Sequence, residues 1–171
     1  MKKKYVFITF LCIFLSSLLP LASQVVSVAS IESKHKEKMP SDVTLYFENV
    51  ILDFFFNEGF ILTSLPYLKA DKEDYKKYES SSFSFDTEPD YLLVVYFLYE
   101  SPKRYDESTR SNLLPCKELY CRLLKVKDSS ELYSDEFLLD SIDNVKGIFR
   151  KIDICLSKIK SKVVDAIRRN R

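Results

Sequence analysis

Two glycines in 171 residues, a single histidine and no tryptophan set the first limits on what this chain can do. With only Gly59 and Gly147 there is no glycine-rich loop to bring backbone amides against a phosphate, so neither a P-loop nor a dinucleotide fingerprint is present. The absence of tryptophan argues mildly against a sugar-stacking site. The one histidine, His35, lies in the polar stretch Ile31–Met39, where nothing holds it against a nucleophile. Ser–His and Cys–His catalysis and histidine-based zinc sites are thereby disfavoured. The alternating carboxylates Asp86, Glu88 and Asp90 resemble part of a calcium loop but lack its glycine, spacing and closing glutamate. They read as a solvated loop. No catalytic, metal or cofactor residue is assigned, and the chain is expected not to be an enzyme.

What the chain does have begins at its N-terminus. Lys2, Lys3 and Lys4 precede an uncharged run from Tyr5 to Leu15, then Ser16, Ser17, Pro20 and Ala22. A basic start, an apolar segment and a small-residue region describe a secretory signal peptide over residues 1–29, cut after Ala22 or Ala29. The run to Ala22 is also near the length of an uncleaved membrane anchor. Cys12 sits inside the apolar run rather than after it, which argues against lipidation. Losing Lys2, Lys3 and Lys4 takes Lys plus Arg from 26 to 23 against 25 acidic residues, a formal −2. A near-neutral remainder gives no electrostatic case for nucleic acid. An exported chain of this hydrophobicity, 46% apolar with the signal included, is expected to form one packed domain.

Residues 30–40 read as a polar tether and 41–171 as the domain. Ser41 is a fair N-cap, and Val43, Phe47, Val50, Ile51 and Phe54 recur at helical spacing until Gly59. Phe60–Ser64 reads as a strand ended by Pro66. Residues 69–89 are polar, with a short helix expected over Asp71–Tyr78 and a turn at Ser80–Ser82. Tyr91–Tyr99 is apolar at every position, which predicts a central strand covered on both faces. After a polar connection over 101–115, Leu119–Lys127 and Leu132–Leu138 read as an antiparallel hairpin. Ile142, Val145, Phe149, Ile152, Leu156, Ile159, Val163 and Ile167 then predict a long amphipathic helix lying across the sheet. The expected fold is α/β (α+β): a three- to four-stranded mixed sheet with two main helices.

Three groups of residues are candidates for more than scaffold. Cys116, Cys121 and Cys155 follow the signal; Cys121 in a strand and Cys155 on the buried border of the last helix could pair as a disulfide in an oxidising compartment. Lys103, Arg104 and Arg110 lie in the polar 101–115 loop, a candidate contact surface because loops on a rigid scaffold carry binding. Arg150, Lys151, Lys158 and Lys162 give the last helix a basic face that could meet an anionic surface, or simply be solvated.

Residues Phe54–Ser64 (helix running straight into strand), Glu88–Val95 and Leu119–Asp128 together carry a resemblance. They look similar to the small periplasmic α/β domains of the curli-secretion subunit CsgG, the penicillin-binding-protein activator LpoB and the N-terminal domain of TolB, and to uncharacterised exported spirochaete proteins. The opening strand of such domains is missing here or reduced to the tether. Those domains work by binding and assembly, so the resemblance implies an exported, non-catalytic envelope protein, periplasmic or secreted, that docks onto another envelope protein. A membrane-surface module, held by the apolar N-terminus and the basic helix, is the alternative. A small carboxylate-dependent hydrolase is the weakest reading.

Overall fold

Serine and glutamate residues that resemble tether in the sequence prove to be part of a buried strand. In the computed structural model, which describes residues 24–34, 40–71, 74, 77–100, 104–106, 111–139 and 145–170, Val25–Ser33 forms β1. Ser27, Ser30 and Glu32 are buried alongside Val26, Val28 and Ile31. The expectation of a missing opening strand is therefore corrected. The run looks polar because small hydroxyl side chains satisfy one another and their neighbours: Ser27 Oγ meets Thr63 Oγ1 at 2.5 Å, and Ser30 Oγ donates to Glu48 Oε2 at 2.8 Å. Residues 1–23 and His35 lie outside the described residues. A cut after Ala29 would remove half of β1, whereas a cut after Ala22 would leave it whole.

Helix α1 spans Asp42–Asn57, with the Ser41 hydroxyl accepting the Val43 N–H and Asp42 in the first turn. Gly59 follows at φ +85, a left-handed position; a methyl group there would meet nothing within 4 Å, so the backbone alone requires glycine. Short strands β2 (Ile61–Ser64) and β3 (Leu68–Ala70) come next, then a turn of 3-10 helix at Ser80–Ser82. The helix expected over Asp71–Tyr78 falls largely outside the described residues. Strand β4 is Tyr91–Tyr99, as its unbroken apolar run predicts. The polar connection after it contains a small hairpin, β5 (Arg104–Asp106) with β6 (Ser111–Leu113). Strand β7 begins earlier than expected, covering Cys116–Lys125, and pairs with β8 (Ser130–Leu138). Helix α2 runs Val145–Arg169.

The main sheet has six strands in the order β2-β1-β4-β7-β8, with β3 continuing the β2 side of β1. The expectation of three or four strands undercounts because β1 reads in sequence partly as the end of the signal (25–29) and partly as tether (30–33), and β3 is only three residues long. The sheet is mixed. β1 runs parallel to β2, β3 and β4, while β4, β7 and β8 are antiparallel. β4 lies in its middle.

Alternation along β4 divides the core. Tyr91, Leu93, Val95 and Phe97 pack under both helices with Phe47, Ile51 and Phe55 of α1 and Ile152, Leu156, Ile159 and Val163 of α2. Leu92, Val94 and Tyr96 face the opposite side with Ala29, Ile31 and Leu124, beneath Tyr78, Phe83 and Phe85 from the 65–90 segment. That segment is held by Ser80 Oγ against Ser129 Oγ at 2.7 Å and by Arg122 reaching the Tyr78 carbonyl. Among the described residues, side chains of the 65–90 segment close this face.

Candidate functional site

Where the parallel strands β1 and β4 end, a fully buried carboxylate meets the first turn of α1. Glu32 Oε1 accepts the backbone N–H of Ser41 at 2.8 Å and the Thr44 hydroxyl at 2.5 Å, and Oε2 accepts the Tyr67 hydroxyl. The Tyr99 hydroxyl joins the group, 2.7 Å from Ser41 Oγ and 2.8 Å from Thr44 Oγ1. Burial and then the Glu32 carboxylate push the Tyr67 hydroxyl well above the ordinary tyrosine range, and burial does the same to Tyr99. Ligands of open α/β sheets gather at such strand ends. Here both carboxylate oxygens already hold donors, and the carboxylate occupies the positive end of the α1 dipole. The arrangement fixes the start of α1.

The predicted cations of the last helix fall into a row. Lys146, Arg150, Lys158 and Lys162 stand at four-residue steps on the outer face of α2, with Ile154, 52% exposed, in the middle and Lys151 beside it. Other polar groups of α2 bind the two helices together. Tyr46 Oη donates to Asp153 at 2.6 Å, Arg168 pairs with Glu58 at 2.9 Å, and Lys160 lies 5.1 Å from the Phe54 ring centre. Of the predicted loop cations, Arg104 opens β5, while Lys103 and Arg110 lie outside the described residues. Asp90, from the alternating carboxylates, accepts the Val25 N–H at 2.8 Å and so fixes the start of β1. Cys116, Cys121 and Cys155 are free, buried thiols, so the structure does not contain the expected Cys121–Cys155 bridge. Both of those residues nevertheless belong to the core cluster beneath α2.

A surface that the sequence pattern did not single out lies on α1. Phe56 is 73% exposed and Leu45 43%, with half-buried Leu52 between them. Spacings of seven and four residues put all three on one flank, about 16 Å long from end to end. The flank adjoins β2, the edge strand, through Glu48, which accepts the Ser64 hydroxyl, and β2 carries no charged residue. Edges are ordinarily blunted by charge, as β8 is by Glu131, Asp135 and Glu136. The signal was available: α1 has more apolar residues than one buried face can take, and Leu45, Leu52 and Phe56 are the surplus.

A family model described only as "Uncharacterised protein" matches residues 25–168. The chain belongs to that family. No curated protein matches it in sequence. Among solved structures, it is similar to the hypothetical protein CT253 of Chlamydia trachomatis, with 10% identity, coverage of 84% of this chain and 99% of that one, and a TM-score of 0.47. It is also similar to the lipoprotein GNA1162 of Neisseria meningitidis, with 11% identity, coverage of 81% and 99%, and a TM-score of 0.45. A putative neuraminyllactose-binding hemagglutinin homolog of Helicobacter pylori gives 14% identity, coverage of 86% and 82%, and a TM-score of 0.39. At those scores the likenesses carry no argument about function. Neither the family match nor these structures bears on the likeness to CsgG, LpoB and TolB domains.

Proposed function

We propose that the chain is an exported, non-catalytic protein of the cell envelope that works by docking onto another protein, through the outer flank of α1 and the β2 edge. The observation that carries this reading is the alignment of Leu45, Leu52 and Phe56 on the surface, because aligned exposed apolar side chains beside an uncharged strand edge mark an interaction face. Export rests on the basic and apolar residues 1–22, and docking agrees with the way the resembled domains work. The loop with Lys103, Arg104 and Arg110 is a candidate second contact. The chain enters it after Tyr99, whose hydroxyl touches Ser41 and Thr44 at the start of α1.

A photo-crosslinking residue at position 56 of the full chain, expressed in cells, tests the reading. A discrete heterologous adduct in the envelope fraction, absent when the probe replaces Lys162, is the expected result. A chain retained in the cytosol, or labelling at 56 no different from that at 162, overturns it.

A second reading, a membrane-surface module, is favoured by the row Lys146, Arg150, Ile154, Lys158 and Lys162. Salt-sensitive extraction of the chain from membranes, lost on reversing Arg150 and Lys158, would move it ahead, since surface attraction to anionic lipid is strongly screened.

A further inference from the structure

The outer flank of α1 carries a charge pattern as well as an apolar ridge. Residues 40–68 hold Asp42, Glu48, Asp53 and Glu58 but no lysine or arginine, in a chain that has 26 of them. Glu58, at the end of α1, pairs with Arg168 at 2.9 Å. The other three acids border the ridge of Leu45, Leu52 and Phe56. At about 100° per residue, Asp42 and Asp53 fall roughly 60–80° to one side of its mid-line and Glu48 roughly 60° to the other. Asp42 and Asp53 are exposed. Glu48 accepts the hydroxyls of Ser30 and Ser64, which leave the carboxylate its charge. Among the described residues no cation pairs with Asp42, Glu48 or Asp53. A surface complementary to this one needs apolar side chains for the ridge and positive charge for both margins, because like charge set opposite them is costly.

We propose, resting on the docking reading of this flank, that the partner presents a basic amphipathic helix laid along α1. Its apolar side chains meet Leu45, Leu52 and Phe56. Its lysine or arginine side chains reach Asp42 and Asp53 on one margin and Glu48 on the other. A helix keeps contact along the whole ridge, because two helices share a rise of about 1.5 Å per residue and pack about 8–10 Å apart. A strand added to β2 would meet only Ile61–Ser64. The ridge supplies most of the affinity, with Phe56 as the aromatic anchor, while the acidic margins select the sign of the partner's charge and speed its arrival.

The test titrates the purified full chain into a fluorescein-labelled leucine–lysine helix about four turns long, and into its leucine–glutamate counterpart, at low salt. The lysine helix should bind and the glutamate helix should not. Phe56→Ser should weaken binding about tenfold. Asp42→Asn with Asp53→Asn should weaken it roughly threefold, as should added salt. Asp135→Asn with Glu136→Gln, on the far edge strand β8, should leave it unchanged. Leu45→Ser, on the same ridge, gives the answer should Phe56→Ser fail to fold. Equal binding of the two helices, no binding of either, or binding indifferent to the ridge or to Asp42 and Asp53 would each overturn the proposal. A purified chain that associates with itself through position 56 would assign the flank to a second copy and overturn it too. The titration uses no cells, so its failure removes the basic helix and leaves the crosslinking result standing. Absence of an adduct at position 56 in cells removes the docking reading whatever the titration shows.

Discussion

Replacing Glu32 by alanine tests whether the buried carboxylate is the fastening of α1 to the sheet. The substitution removes the acceptor of the Ser41 N–H, the Thr44 hydroxyl and the Tyr67 hydroxyl at a position that is 0% exposed. Thr44 can turn to the Tyr99 hydroxyl, 2.8 Å away, only by leaving the Tyr99 proton without an acceptor, so three donors in all lose theirs. With Ser41 and Tyr67 only half-buried, the low end of about 1–3 kcal/mol for each orphaned donor applies, and the loss is roughly 3 kcal/mol. That is a large share of a typical total of about 5–15 kcal/mol. For a domain of this size it corresponds to a fall of roughly 10 °C in Tm. Urea titration followed by circular dichroism measures it, with Glu32→Gln retaining an acceptor oxygen and expected to lose distinctly less. A Glu32→Ala variant within about 1 kcal/mol of the wild type would refute the reasoning, because it would mean that water or the neighbouring hydroxyls satisfy the donors unaided.

Leu45→Asp should shift the urea midpoint little, since that side chain is 43% exposed, while abolishing the crosslink from the probe at position 56. Phe47→Ala, which empties a fully buried site packed edge-on against Phe97 at 5.4 Å, should cost about 3–5 kcal/mol in the same titration. Gly59→Ala should cost roughly 1–2 kcal/mol from backbone conformation alone, as nothing surrounds the added methyl at φ +85. Burial raises the Cys121 thiol from 9.0 to about 12. Between those values the unfolded chain gives up the proton and the fold keeps it, so the contribution of this thiol is full below about 9 and falls by about 1.4 kcal/mol per pH unit up to about 12. Cys121→Ala should lessen the slope of the alkaline limb in pH-dependent urea titrations, to which the buried Cys116 and Cys155 also contribute, and an unchanged slope would contradict the assignment.

Local chemistry alone determined several elements. The unbroken apolar run Tyr91–Tyr99 could only be a strand covered on both faces, and the marching apolar positions from Val145 to Ile167 could only be an amphipathic helix. Ser41 and Gly59 marked the ends of α1 because capping and a left-handed residue are properties of one or two positions. The scarcity of glycine and histidine likewise narrowed the chemistry without reference to any fold. Other features depended on partners far along the chain. β1 was invisible because Ser27, Ser30 and Glu32 are polar, and their burial is favourable only once Thr63, Glu48, Ser41, Thr44 and Tyr67 are brought to them. The candidate docking flank was hidden for the opposite reason. Leu45, Leu52 and Phe56 look like core residues in sequence, and only the placement of α1 against β1 and α2, with β2 at the sheet's edge, decides that they face outward. The same placement brings Cys121 of β7 and Cys155 of α2 into one core cluster, because a helix face and a strand face meet only when the sheet has formed.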